Sequence, residues 1–106
     1  MLIIASLIES GFCESVGLTT ITSWAECLRR ADAIGIDYNR DLNNFFGTNN
    51  TFRDDLPFGC LYTGQVRWLV QNNDGSSTVP CSPNIGGRSS CICAEGNVYL
   101  ILMEMI

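Results

Sequence analysis

Six cysteines with no histidine anywhere in the chain constrain this sequence more than any other feature. Cys13, Cys27, Cys60, Cys81, Cys91 and Cys93 are spread over most of its 106 residues. A chain of this length has room for one domain and one modest core, and an even set of dispersed cysteines is how small exported domains compensate for limited burial. Structural zinc is the competing use. Zinc prefers paired Cys-x2-4-Cys knuckles, often with histidine, whereas the one close pair here, Cys91-Ile92-Cys93, is spaced by a single residue. The reading is therefore disulfides, an oxidising compartment, and neither metal nor cofactor. Cys91 and Cys93 share one face of an extended segment, so a bond directly between them is strained. Of the fifteen pairings open to six cysteines, three contain that bond and the other twelve remain.

Charge narrows the partners. The formal net charge is −5 and every cation is an arginine, which leaves no basic face for nucleic acid or for an anionic membrane surface. Apolar residues are plentiful and charged ones few, so the chain folds rather than remaining disordered.

Local patterns place one helix and several strands. Ser23-Trp24-Ala25-Glu26 has the S-x-x-E form of a capping box. Behind it Trp24, Cys27, Leu28, Ala31 and Ile34 recur at helical spacing, and Gly35 supplies a left-handed stop, which predicts a helix over about 24–34. The Leu- and Ile-rich opening reads as a strand running into a turn at Gly11, and Gln65 to Val70 as a second strand followed by a tight Asn73-Asp74-Gly75 turn. Cys91 to Cys93 returns as a short strand. Residues 36–56 carry no sustained period and read as a long surface loop, with Phe45, Phe46 and Phe52 pinning it to the core, closed by Pro57-Phe58-Gly59-Cys60. The expected fold is thus α+β: a small disulfide-rich domain with one helix packed on a short antiparallel sheet.

The two ends are apolar. Neither Met1 to Ile8 nor Val98 to Met103 is long enough to span a bilayer, and the first lacks the basic start of a signal peptide and is interrupted by Glu9. An export signal is expected upstream of Met1, or the chain is part of a longer one. The two runs either pair with each other in the sheet or dock on a partner, with Leu2, Ile3, Ile4, Val98, Tyr99, Leu100, Ile101 and Leu102 as the contact residues.

No set of residues makes a catalytic constellation more plausible than a plainer use. Without histidine the usual Ser-His and Cys-His nucleophile arrangements are missing, and the adjacent Asp54-Asp55 point apart on an extended segment instead of facing one substrate. Asp37-x-Asn39-x-Asp41-x-Asn43 resembles alternating calcium ligands but has Leu42 where the loop needs glycine and Thr48 where it needs glutamate. Cys91-x-Cys93 lacks the helix start that activates a redox thiolate. Trp24 and Trp68 suit core packing better than a sugar-stacking platform. Asn49-Asn50-Thr51 is a glycosylation sequon in the predicted surface loop, with Asn49 as the acceptor. The chain is read as a non-enzyme.

Taken in order, Ser10-Gly11-Phe12-Cys13, Ile21-Thr22-Ser23-Trp24-Ala25-Glu26-Cys27, Ala31-Asp32-Ala33-Ile34-Gly35, Pro57-Phe58-Gly59-Cys60, Pro80-Cys81-Ser82 and Cys91-Ile92-Cys93 form a pattern. It resembles a cysteine-rich module that recurs in proteins of dinoflagellates, diatoms and other algae and protists. The resemblance covers residues 10–94, with 1–9 and 95–106 as apolar extensions or strands. It implies an exported, disulfide-bonded α+β fold and no particular activity. Two functions follow as expectations: a structural or interaction subunit of a larger extracellular or lumenal assembly, or a secreted module binding carbohydrate or a cell surface through the 36–56 loop. The algal resemblance extends the first to a lumenal subunit of a photosynthetic membrane complex in the thylakoid, with other protein subunits as partners.

The sequence predicts that the native protein gains the mass of six alkyl groups on alkylation only after reduction. Intact-mass spectrometry with and without reductant checks this, and six thiols already reactive in the native protein contradict it.

Overall fold

The computed structural model describes residues 5–39, 49–63 and 67–95. Its elements are β1 (Ala5–Ile8), a turn of 3-10 helix (Cys13–Val16), β2 (Leu18–Thr20), α1 (Trp24–Ala33), β3 (Gly59–Thr63), β4 (Trp68–Asn72) and β5 (Ser89–Glu95). One helix and a five-stranded antiparallel sheet make the domain mostly sheet, so the expected α+β description holds only loosely.

The helix starts where its capping residues dictate. Ser23 is extended, and its side chain accepts a hydrogen bond from the Glu26 backbone N–H at 3.1 Å. Only that half of the predicted box forms, because the Glu26 carboxylate turns outward to Arg29 at 2.8 Å and Arg30 at 3.1 Å. Ile34 caps the C-terminus and Gly35 follows in the left-handed region, with φ +75°. Cys27 and Ala31, one turn apart, are buried against the sheet.

The sheet is built around β5. On one side β5 pairs with β1, Ser6 opposite Cys93 and Ile8 opposite Cys91. On the other side β3 and β2 share its length, β3 covering Ser89 to Ile92 and β2 covering Cys93 to Glu95. β4 then lies outside β3 as the far edge, partly covered by Thr51, which exchanges backbone hydrogen bonds with Gln71 at 3.1 Å and Asn73 at 2.7 Å.

Where β2 ends and β3 begins there is no room for a side chain. A Cβ on Gly59 would lie 2.7 Å from Thr20 Cγ2 and 3.4 Å from the Ile21 carbonyl, and Gly59 has φ +114°. This residue, read from sequence as part of a closing turn, instead opens a strand. Its glycine permits both the close approach and the backbone angle.

Both faces of the sheet are buried. Facing the helix, Cys60, Leu69 and Ile92 pack with Cys27, Ala31, Ile21 and Tyr38. Facing the other way, Leu61, Val70, Cys91 and Cys93 pack with Cys13 and Cys81, with Leu56 and Trp68 against them. The alternation of side chains along each strand sorts neighbours such as Cys91 and Ile92 into opposite layers. Three disulfides then tie the layers together: Cys27–Cys60 on the helix face, Cys13–Cys93 and Cys81–Cys91 on the other. Their Cα separations of 5.6, 5.4 and 5.5 Å lie in the ordinary range. They close spans of 80, 33 and 10 residues, and chain-entropy estimates assign them roughly 4–5, 3–4 and 2–3 kcal/mol if each acted alone.

Several sequence expectations shift. The strand expected at Gln65 to Val70 is observed as Trp68–Asn72, after Arg67 in the left-handed region at φ 54°, while 64–66 lie outside the described residues. Both tryptophans pack half-buried, Trp24 against the helix-side core and Trp68 against the other. Phe52 does not pin the 36–56 loop: it is 68% exposed, because the segment is held through the Thr51 backbone. Phe45 and Phe46 lie outside the described residues, as does the proposed strand at Val98 to Met103. The N-terminal run, from Ala5 on, pairs with β5.

Gly59→Ala is expected to destabilise the oxidised protein by about 2–4 kcal/mol, combining a forbidden backbone angle with a clash against backbone and Thr20. Gly75→Ala, with open space around its Cβ position, serves as the control and shifts the thermal midpoint little. Comparable midpoints for the two variants in calorimetry would contradict the close approach.

Candidate binding cleft

At the Ser89 end of β5 the sheet is overhung by three segments that enclose a cleft of about 360 Å³. It is lined by Asp55, Leu56 and Pro57, by Val79, Pro80 and Ser82, and by Gly87, Arg88 and Ser89. This volume is at the lower end of the range typical of small-ligand pockets, and the mixture of apolar walls with a few polar groups is also typical.

Each wall has a specific anchor. The first depends on Asn72, fully buried at the end of β4. Its Nδ2 donates to the carbonyls of Arg53 at 2.8 Å, Leu56 at 3.1 Å and Pro57 at 2.9 Å, and its Oδ1 accepts from the Arg53 N–H at 3.0 Å. One amide thus satisfies a run of loop carbonyls that cannot join the sheet. The Ser77 hydroxyl also donates to the Leu56 carbonyl. The second wall is held by the Cys81–Cys91 bridge and by the Cys81 N–H, which donates to the Gly11 carbonyl at 2.7 Å. The third is a tight turn in which Gly86 and Gly87 both have positive φ and the Arg88 N–H donates to the Ile85 carbonyl at 3.1 Å. The Ser82 N–H then closes back on the Ser89 carbonyl at 3.0 Å.

The electrostatics of the cleft are one-sided. Asp55 is already engaged: Arg53 Nε donates to its Oδ1 at 2.8 Å and a second guanidinium nitrogen donates to Oδ2. These bonds hold the Asp55 carboxyl below the usual carboxylate range, so it stays ionised and paired. Arg88 is exposed, and its guanidinium has no hydrogen bond or ion pair with any described residue. Beside it Ser89 is 1% exposed and its Oγ is buried with no hydrogen-bond partner among the described residues. An unsatisfied buried hydroxyl costs about 1–3 kcal/mol, and native structures contain few of them.

The residues singled out from sequence fall elsewhere. All six cysteines are consumed in the three bridges. Asn49 is exposed, while the following Asn50 accepts a hydrogen bond from Asn73 Nδ2 at 3.0 Å. Asp54 is exposed beside the Arg53–Asp55 pair, and Asp37 pairs with Arg67. Asp41 and Asn43 of the calcium-like pattern lie outside the described residues, as do the apolar contact candidates Leu2, Ile3, Ile4 and Val98 to Leu102. No helix among the described residues is long and apolar enough to cross a membrane. A second, shallower hollow of about 190 Å³ beside Thr20 to Ser23 includes Glu26 and Arg30, which are paired with each other.

Sequence reasoning missed the cleft, although Pro57, Pro80 and the Gly86-Gly87-Arg88 turn were visible as punctuation. Only the Cys81–Cys91 bridge and Asn72 bring them together. Compared with protein-family models, with curated proteins and with solved structures, the chain finds no match.

Asn72→Asp is expected to destabilise the protein by about 3 kcal/mol or more at pH 7, because a buried carboxylate then faces three carbonyl oxygens. Such a carboxyl has a raised folded pKa, so the deficit shrinks as the pH falls below that value and the group is protonated. Denaturant titrations at pH 7 and pH 4 check both the size and the sign.

Proposed function

We propose that the protein is a non-catalytic structural and interaction module, a stapled body held within a larger extracellular or lumenal assembly by apolar chain at one end. The observation that carries this reading is the register of β1 against β5. Ala5 pairs with Ala94, so the chain enters β1 and leaves β5 at the same end of the sheet. The sequence on both sides of that point is apolar: Met1 to Ile4 before it, and Val98 to Met103 shortly after it.

The edges of β5 near this point are already occupied. Cys93 and Ala94 have β1 partners on one side, and Cys93 to Glu95 have β2 partners on the other. A hairpin returning directly onto β5 is therefore blocked. The three disulfides fit an oxidising compartment. The resemblance to the algal module supports the thylakoid lumen, beside a photosynthetic membrane complex, as the specific setting.

A second reading, a secreted module that binds carbohydrate or a cell surface, is favoured by one residue. Phe52 presents an exposed ring next to Asn49, Asn50 and Thr51, the combination a sugar platform uses.

Sedimentation of the oxidised full-length chain, with and without mild detergent micelles, tests the first reading. The chain is expected to self-associate in buffer and to bind micelles, and the double variant Ile3→Glu, Leu100→Glu to remain monomeric with its thermal midpoint little changed. A wild-type chain that is monomeric and ignores detergent overturns the proposal. The second reading then predicts glycan binding that Phe52→Ala abolishes.

A further inference from the structure

We infer that the cleft at the Ser89 end of β5 is a binding site for a carboxylate carried on a small apolar body. The inference does not rest on the apolar ends. The cleft is at the opposite end of β5 from them, since Ser89 and Glu95 lie six residues apart along the strand, about 20 Å.

The class of ligand follows from which groups are spent and which are free. The carboxylate in the lining, Asp55, is doubly bonded to Arg53, so it offers nothing to a cation. The free polar groups are donors or can act as donors: the Arg88 guanidinium and the buried Ser89 hydroxyl, both without a partner among the described residues. Gly87 adds a backbone N–H that no hydrogen bond within the described residues uses, in a turn whose two glycines both have positive φ. In a chain of net charge −5, a cleft lined by a guanidinium and a hydroxyl that both lack partners among the described residues matches an anion rather than a cation or a neutral sugar.

The rest of the lining describes what the anion is attached to. Leu56, Pro57, Val79 and Pro80 are apolar and contribute no side-chain hydrogen-bond donors or acceptors. None of the lining residues is aromatic, so the cleft lacks the flat platform on which a sugar ring stacks. About 360 Å³ accommodates one branched aliphatic side chain with its carboxylate. A free organic acid and the C-terminal residue of a peptide both present this chemistry.

The test uses the oxidised, 15N-labelled full-length protein with N-acetyl-leucine as the probe and N-acetyl-leucinamide as the uncharged control. N-acetyl-leucine is expected to shift the amide resonances of Gly87, Arg88 and Ser89 with an affinity near millimolar, as suits a ligand of its size. The carboxamide and the exposed-site variant Arg88→Gln are each expected to weaken binding about tenfold or more. Ser89→Ala is expected to weaken binding while leaving the free protein at least as stable as before, because its buried hydroxyl has no partner to lose among the described residues. Tighter binding by a tetrapeptide ending in leucine identifies a chain end as the source, and equal binding identifies a small organic acid. The inference is overturned if acid and amide shift the same resonances equally, if no shift appears at 87–89 by about 20 mM probe, well above the near-millimolar affinity expected, or if Arg88→Gln binds unchanged.

Discussion

The pleat of Cys91-Ile92-Cys93 in the middle of β5 is the constraint on which the rest of the structure depends. Side chains alternate across a strand, so the two cysteines are committed to one face and the isoleucine between them to the other. Ile92 is then packed among Cys27, Ala31 and Cys60 beneath the helix. Cys91 and Cys93 each take a separate partner on the opposite face, Cys81 from just upstream and Cys13 from near the start of the chain. Three consecutive residues thereby bind the sheet to covering layers on both of its faces. The bridges add to what apolar burial on the two faces supplies in a domain of this size.

The cleft is a by-product of that arrangement. Bringing Cys81 onto Cys91 forces residues 82–90 to loop out and return within a short span, and the paired glycines at 86 and 87 allow it. The loop leaves a space against the 53–57 segment, which Asn72 holds by its carbonyls. Apolar walls therefore come from segments that share no regular structure, while the free polar groups come from the turn that leads into β5 and from its first residue. The two proposed contact sites are accordingly at opposite ends of one strand: the cleft at Ser89, and the point where the chain enters and leaves the sheet at Ala5 and Ala94.

Elements whose signal is local were legible in the sequence. The helix was readable from Ser23, its periodic apolar face and Gly35, because capping and amphipathic spacing act within a few residues. The disulfide state was readable from the number and spread of the cysteines without histidine. β3 was not legible: Gly59 and Cys60 look like the end of a turn, and only the abutting Thr20 and Ile21 explain a glycine at the start of a strand. Phe52 was expected inside and is outside, because backbone pairing at Thr51 anchors that segment and no side-chain pocket receives the ring. Arg88 and Ser89 carried no motif at all.

The sequence by itself determined that this chain forms one small, stapled domain with a capped helix, since composition, cysteine spacing and local periodicity are properties of neighbouring residues. Tertiary structure alone decided which cysteines pair, which strand sits at the centre, and that Arg88 and Ser89 line a cleft with the 55–57 and 79–82 segments. Those outcomes depend on contacts between residues as far apart as Cys13 and Cys93, 80 positions along the chain. Many pairings satisfy the same local preferences, and only the simultaneous packing of both sheet faces selects among them.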